Sequence, residues 1–147
     1  MTLRLGSRAF GPHELAVMAI VNRTPDSFYD RGATFALAAA LDRIDQVVSE
    51  GADIVDVGGV KAGHGTAVSA EDEIERTVSL VEGTRRRHPD LVISVDTYRA
   101  EVADAVCAAG ADLVNDTWAG ADPGVAVVAA RRGAGLVCSH VGGQVPR

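Results

Sequence analysis

Apolar runs and amphipathic runs alternate along this chain, and this alternation constrains its fold more than any other feature of the sequence. Three similar pentapeptides each join a predicted helix end to a predicted strand start: Gly-Ala-Asp-Ile-Val at 51–55, Gly-Ala-Asp-Leu-Val at 110–114 and Gly-Ala-Gly-Leu-Val at 133–137. Strictly alternating strands and helices are typical of a parallel sheet covered by helices. We therefore expect an α/β protein.

The element boundaries follow from the spacing of apolar residues and from helix and turn breakers. Residues 2–14 are expected to form a short hairpin or turn, and the apolar run Leu15–Ile20 is expected to be a buried strand. Thr34 is a predicted helix cap, Gly51 a predicted left-handed cap, and Ser69 with Asp72 resembles a capping box. The predicted strands lie at about 15–22, 52–59, 91–95, 113–116 and 135–141, and the predicted helices at about 35–50, 70–87, 98–109 and 123–132.

Two arrangements of these units remain open from the residues alone. Five units could make a doubly wound, flavodoxin-like domain of about this size, with residues 1–147 forming one domain. A (β/α)8 barrel needs roughly 250 residues, so the chain would supply its first five strands and four helices. A half barrel has an unpaired strand edge and an uncovered apolar interior. If the barrel interpretation is right, the chain must be a fragment or an incomplete sequence of a longer protein, or another chain must complete the barrel.

Composition excludes several classes of function. The chain has 147 residues, of which 47% are hydrophobic, and a net charge of −6, which does not suit a nucleic-acid backbone. The basic run Arg85–Arg87 falls at a predicted helix end, where it complements the helix dipole. Residues 1–14 lack the apolar core of a signal peptide or membrane anchor, so we expect a cytoplasmic protein with no membrane partner. Cys107 and Cys138 are expected to be reduced, buried thiols.

Polar residues end four successive predicted strands, at Asn22, Asp56, Asp96 and Asn115. One polar group at each of several strand ends is how a parallel-sheet protein builds a site. Asp96 follows a strand rich in Val and Ile, where a carboxylate can accept paired N–H donors from a flat heterocycle; the alternative is a helix N-cap. Asn115 offers both a donor and an acceptor to the same ring; its alternative is a turn residue.

The other candidates at these ends have weaker signals. Asn22 could hold a metal-bound or phosphate oxygen, or belong to a turn. Asp56 either faces the site or accepts from backbone or Asn22 amides in support of it, and we favour support. The loop containing Lys61 and His64 could cradle a phosphate, although a flexible connector explains it equally well.

Three aromatic side chains complete the candidate list. His140, near the fifth strand's end, could bind an anion when protonated; the alternative is a partly buried, hydrogen-bonded histidine. Phe28 could form an apolar wall for an aromatic substrate or simply tether its loop. Trp118 is expected to pack under a loop.

Four motifs together resemble one family. Asn22–Phe28 (Asn-Arg-Thr-Pro-Asp-Ser-Phe), Asp56–Gly59 (Asp-Val-Gly-Gly), Ser94–Thr97 (Ser-Val-Asp-Thr) and the pair Asn115-Asp116 are similar, in order and spacing, to dihydropteroate synthases. That family is a (β/α)8 barrel, so the resemblance favours the barrel over the flavodoxin-like domain. The chain then corresponds to the N-terminal part of the barrel.

The resemblance also implies a chemistry. In that family the amine of 4-aminobenzoate attacks the methylene of a dihydropterin pyrophosphate, and pyrophosphate departs with Mg²⁺. Asp96 and Asn115 would hold the pterin, and Asp96 would stabilise the cation that develops. Asn22 would lie beside the metal or pyrophosphate, and Phe28 would line the aminobenzoate side. Family members are commonly homodimers and bind sulfonamide or sulfone ligands.

Two departures from the family pattern bear on activity. The family's Glu-Ser-Thr-Arg-Pro-Gly loop is replaced by Val60–Gly65 (Val-Lys-Ala-Gly-His-Gly), and lysine is not equivalent to a bidentate arginine. Ser139 stands where the family has methionine. We therefore expect a divergent paralogue that keeps a pterin pocket but has weak or no synthase activity. The alternatives are a working synthase that uses Lys61 and His64, and a pterin-domain methyltransferase that uses methylfolate and a corrinoid partner.

Overall fold

The computed structural model describes residues 2–22, 33–59 and 68–140. Phe28, Lys61 and His64 lie outside these ranges. The elements alternate in the predicted order after a short N-terminal hairpin. In chain order they are β1 (Leu3–Leu5), β2 (Arg8–Phe10), β3 (Met18–Asn22), α1 (Ala33–Ser49), β4 (Ile54–Gly58), α2 (Ala70–Arg87), β5 (Val92–Asp96), α3 (Ala100–Ala109), β6 (Leu113–Asp116), α4 (Gly124–Arg132) and β7 (Gly135–Cys138).

The five later strands form one parallel sheet in the order β3-β4-β5-β6-β7. Neighbours in the sheet are neighbours in sequence, and each pair is joined by a helix, as the alternation predicts. The register places Asp56 opposite Ser94 and Asp96 opposite Asn115. Because the strands are parallel, their carboxyl ends lie at one edge, where the candidate residues are brought together.

The helices cover the outer face of this sheet. Side chains alternate between the two faces of a strand, so Val55 and Val57 of β4 point the same way and pack with the helices. Ile44 of α1, Leu80 of α2 and the other members of this core are buried. Burial of such a side chain contributes roughly 1.5–3 kcal/mol, so this outer layer supplies most of the hydrophobic stabilisation.

The hairpin closes the amino ends of the strands on the inner face. Leu5 and Phe10 are buried against Ile54, Val92 and Leu113, which are inner-face residues at or near the start of β4, β5 and β6. The next inner residues along β4 and β5 are polar, Asp56 and Ser94. The inner face is therefore apolar at its floor and polar toward the carboxyl ends.

Local capping signals are confirmed in two of three cases. The Ser69 hydroxyl accepts a hydrogen bond of 3.1 Å from the backbone N–H of Asp72, and Gly51 has a left-handed φ of 102°. The third prediction is wrong, because α1 begins at Ala33 and Thr34 therefore lies inside the helix rather than before it. The Arg85 guanidinium donates to the carbonyl oxygens of Leu91 and Gly110, so this basic helix end is used within the fold.

The prediction of a buried strand at 15–22 is wrong in its start and in its burial. The strand begins at Met18, and Leu15 is 91% and Ile20 69% exposed. Ile20 lies opposite Asp56 in register and so points to the inner face, which the described residues leave uncovered at β3, whereas Val21 on the helix-covered face is 5% exposed. Cys138 of β7 is also exposed rather than buried, while Cys107 is half-buried.

Within the described ranges, none of the four helices combines the length and apolar character that a bilayer crossing requires.

Candidate functional site

A buried carboxylate links three strands at the polar end of the inner face. Asp56 is 5% exposed; it accepts a 2.6 Å hydrogen bond from the Ser94 hydroxyl and a 3.1 Å bond from the Asn115 side-chain amide. Burial raises the pKa of Asp56, and the two donors oppose that rise. Asp56 therefore fixes the orientation of Asn115. The sequence favoured support of backbone or Asn22 amides, and the described contacts of Asp56 are with Ser94 and Asn115.

Asp96 is the last residue of β5, opposite Asn115 in register. Its Oδ1 accepts a 3.0 Å hydrogen bond from the Thr117 hydroxyl. Burial raises the pKa of Asp96 to about 6, and the negative charges of Asp56, Glu73 and Asp116 add to that rise. At neutral pH Asp96 is thus an anion in a setting that disfavours the anion, so it attracts N–H donors or a developing positive charge.

The N-cap alternative for Asp96 is wrong. The N-cap of α3 is Arg99, which makes no side-chain capping bond. One N–H group of the first turn, that of Ala100, instead donates to the Asp122 carboxylate at 2.8 Å. The turn alternative for Asn115 is also wrong, since Asn115 lies within β6. Both side chains therefore belong to the polar end of the inner face.

The segment after β6 is organised by a second buried carboxylate, which sequence reasoning missed. Asp116 is 1% exposed and accepts from the backbone N–H groups of Trp118 and Gly120 at 2.8 and 2.9 Å. Trp118 packs edge-on against Tyr98, with ring centroids 6.4 Å apart. Only the strand-end position of Asp116 signalled this role in the sequence.

An ion pair beside the site was also missed. Glu73, 1% exposed, lies 2.6 Å from the Arg99 guanidinium, which also donates to the Val68 carbonyl oxygen at 2.9 Å. Arg76 donates to the Gly59 carbonyl oxygen at 3.3 Å. These arginines thus bind the backbone on both sides of residues 60–67. No sequence spacing indicates such a pairing between α2 and the residue that precedes α3.

The remaining predicted residues are placed as follows. Asn22 ends β3 opposite Gly58, at the same sheet edge as Asp96, and its side chain is outside the described part. His140 follows β7 and is exposed, so the alternative of a partly buried histidine is wrong.

The described ranges contain no group of three His, Cys, Asp or Glu side chains that fits a metal ion. Asp56, Asp96 and Asp116 instead accept hydrogen bonds from protein donors. The side chain of Asn22, the residue expected beside Mg²⁺, lies outside the described part of the chain, so the metal stays an expectation from the resemblance.

Comparison with known families decides between the barrel and the doubly wound sheet. The model of the pterin binding enzyme family matches residues 18–147. The chain belongs to this family. It is 62% identical over 131 residues to inactive dihydropteroate synthase 2 of Mycobacterium tuberculosis, an alignment that covers 89% of the chain and 41% of that relative.

Solved structures give the same result. The dihydropteroate synthase of Xanthomonas albilineans with 4-aminobenzoic acid superposes with a TM-score of 0.87 at 36% identity, over 99% of the chain and 54% of that structure. The complex with 7,8-dihydropteroate gives a TM-score of 0.83 at 35% identity, over 96% and 51%. These pterin binding enzymes are (β/α)8 barrels, so the barrel prediction is confirmed and the flavodoxin-like alternative is wrong. The chain spans about half the length of the relatives it matches.

Proposed function

We propose that this pterin binding chain is the N-terminal part of the single barrel domain of a dihydropteroate synthase-like protein of the folate-biosynthesis type, with weak or no synthase activity. The observation that carries the proposal is the pairing of Asp96 with an Asn115 side chain held by buried Asp56. The relatives are named as dihydropteroate synthases and as an inactive form of that enzyme, and both descriptions support the proposal.

The ring would be held by complementary hydrogen bonds. A pterin offers an amino group and a ring N–H side by side, and a carboxylate such as Asp96 accepts such a pair. The Asn115 amide donates one hydrogen to Asp56, so its amide oxygen is the natural acceptor for a further ring donor. The two strand ends together then select a flat heterocycle with several polar edges.

The same carboxylate would assist the family's reaction. As pyrophosphate leaves, positive charge develops on the pterin, and ionised Asp96 would stabilise it. Because the pKa of Asp96 is raised to about 6, the group is mostly ionised at neutral pH. The half of the site around Asp96 is therefore suited to the reaction.

The loop expected beside the pyrophosphate differs from the corresponding loop of the family. Residues 60–65 contain Lys61 and His64 but no arginine, and charge-assisted hydrogen bonds contribute roughly 1.5–3 kcal/mol each. Losing a bidentate arginine therefore predicts a weak gain in affinity from the pyrophosphate. From the resemblance we extend the proposal to Mg²⁺ beside Asn22, to Phe28 lining the aminobenzoate side, to His140 as an anion contact, to sulfonamide or sulfone binding, and to a cytoplasmic homodimer.

Calorimetry on the full-length protein tests this proposal. The titrants are 6-hydroxymethyl-7,8-dihydropterin, its pyrophosphate and an aryl sulfone. We expect the free pterin to bind and the Asp96→Asn variant to lose pterin binding. The pyrophosphate should add less than about tenfold in affinity, which corresponds to a gain of less than about 1.4 kcal/mol. Exposed Glu75, in the second turn of α2, supplies the matched control Glu75→Gln, which should bind normally.

The other outcomes identify the alternatives. A large gain from pyrophosphate with rapid dihydropteroate formation identifies a working synthase that uses Lys61 and His64, and refutes the loss of activity. A methylated folate is added as a fourth titrant, and tighter binding of this compound than of the dihydropterins identifies a methyltransferase. No binding of any pterin refutes the proposal as a whole.

A further inference from the structure

We propose that Thr117 is a positioning residue, which fixes the carboxylate of Asp96 for the pterin ring, and that the segment after β6 is built to hold Thr117 in place. The inference rests on the proposed function, because it assigns a purpose to a contact made by the carboxylate that would hold the ring. Thr117 is not among the site residues predicted from the sequence, and it has no catalytic chemistry of its own.

The contact itself is specific. The Thr117 hydroxyl donates to Oδ1 of Asp96 at 3.0 Å. A hydroxyl has one hydrogen to donate, and here it is directed at one oxygen of the carboxylate. A carboxylate has about four acceptor positions, so this bond fixes the rotation of the group and leaves acceptor positions on both oxygens for the paired donors of a ring.

Hydrogen bonds hold the backbone around Thr117. The next residues donate their N–H groups to the buried Asp116 side chain, and the Asp116 carbonyl oxygen accepts from the Ser139 N–H at 2.8 Å. Ala119 adopts a left-handed φ of 60°, a conformation that costs a non-glycine residue of order 1 kcal/mol. Such strain persists where the surrounding bonds fix the backbone, and it clusters at binding sites.

The charges around Asp96 explain why a donor is needed there. Asp56 on β4, Glu73 on α2 and Asp116 on β6 all oppose the ionisation of Asp96. The neighbouring cation, Arg99, is paired with Glu73 at 2.6 Å. The Thr117 hydroxyl acts in the opposite direction and lowers the pKa of Asp96. Removal of the hydroxyl should therefore both loosen the carboxylate and make it easier to protonate.

Two substitutions separate positioning from packing. Thr117→Val keeps the shape and removes the hydroxyl, whereas Thr117→Ser keeps the hydroxyl and removes a methyl group. The dissociation constant of 6-hydroxymethyl-7,8-dihydropterin is measured by calorimetry on the full-length protein between pH 5 and pH 8.5. We expect Thr117→Val to weaken binding about tenfold at pH 7, as for loss of one bond to a charged acceptor.

The pH profile supplies the decisive readout. Wild-type binding should be lost as pH falls through about 6, the pKa of Asp96. In Thr117→Val this midpoint should move to higher pH, and Thr117→Ser should restore both the affinity and the midpoint. Thermal unfolding of each variant identifies any loss of fold, in which case Thr117→Ala replaces Thr117→Val.

Two results refute the inference. One is a Thr117→Val protein with wild-type affinity and midpoint, and the other is an equal loss in Thr117→Ser and Thr117→Val, which indicates packing alone. A wild-type protein that binds no pterin at any pH refutes the proposed function itself. The two failures are therefore distinguishable in one set of titrations.

Discussion

Replacing Asp96 with asparagine is expected to stabilise the protein at neutral pH, although it removes the main acceptor for the ring. Burial raises the pKa of Asp96 from its ordinary 3.8 to about 6, which means that the fold disfavours the ionised group. Asparagine is close in shape, carries no charge and keeps an oxygen that can accept from Thr117. The substitution therefore removes the unfavourable ionisation and keeps the hydrogen bond.

The magnitude follows from linkage between protonation and folding. Between pH 3.8 and about 6 the folded protein holds a proton on Asp96 that the unfolded chain has released, so stability falls as pH rises through that window. At about 1.36 kcal/mol per pKa unit, the full effect is about 3 kcal/mol. Because Asp96 is partly exposed and solvent screens its charge, we expect about 1–2 kcal/mol at pH 7.

Urea unfolding of the full-length protein at pH 7.5 and pH 4 measures this difference. The variant should be more stable than wild type at pH 7.5 and nearly equal to it at pH 4, where Asp96 is protonated in the folded state. Glu75→Gln, exposed on α2, controls for the loss of one negative charge. A variant that is less stable at pH 7.5, or whose gain persists unchanged at pH 4, would refute the reasoning.

Two further predictions concern stability alone, each measured by urea unfolding at pH 7.5. Arg99→Met leaves the carboxylate of Glu73, which is 2% exposed, without its cation, and should lower the free energy of unfolding by about 3 kcal/mol. The added substitution Glu73→Gln should recover part of this stability. An absence of recovery would contradict the pairing. Phe10→Ala removes the largest side chain of the inner floor and should cost about 3 kcal/mol, whereas Phe10→Leu should cost less. Equal losses in the two Phe10 variants would argue against this packing.

The parts of the fold that depend on local signals were predictable from the sequence. The order of strands and helices follows from apolar spacing, and the caps at Gly51 and Ser69 follow from local chemistry, so both are confirmed. The juxtaposition of Asp96 and Asn115 was predictable too, because each ends an apolar strand and parallel strands end at one edge. The register in the sheet then places the two residues opposite one another.

The features that depend on distant partners were not predictable. The Glu73 carboxylate is paired with a residue of the next helix connection, and Thr117 contacts a residue 21 positions away; no local pattern marks either contact. The burial of Ile20 depends on what covers the inner face of the sheet at β3, which its own sequence does not specify. The prediction of Thr34 as a cap was wrong because the local sequence does not distinguish a threonine just inside a helix from a threonine just before the helix.

On the inner face, the residues that stabilise the fold and the residues proposed to bind the ring lie at opposite ends of the strands. At the floor, Leu5 and Phe10 pack on apolar strand residues, so each contact favours folding. At the carboxyl ends, burial raises the pKa of both Asp56 and Asp96, so each ionised group disfavours folding at neutral pH. Carboxylates kept ionised against their surroundings are typical of binding sites. Both oxygens of Asp56 already accept from Ser94 and Asn115. At Asp96 stability alone would favour an amide, so that carboxylate supports a bound ligand rich in N–H donors, independently of residues 60–65.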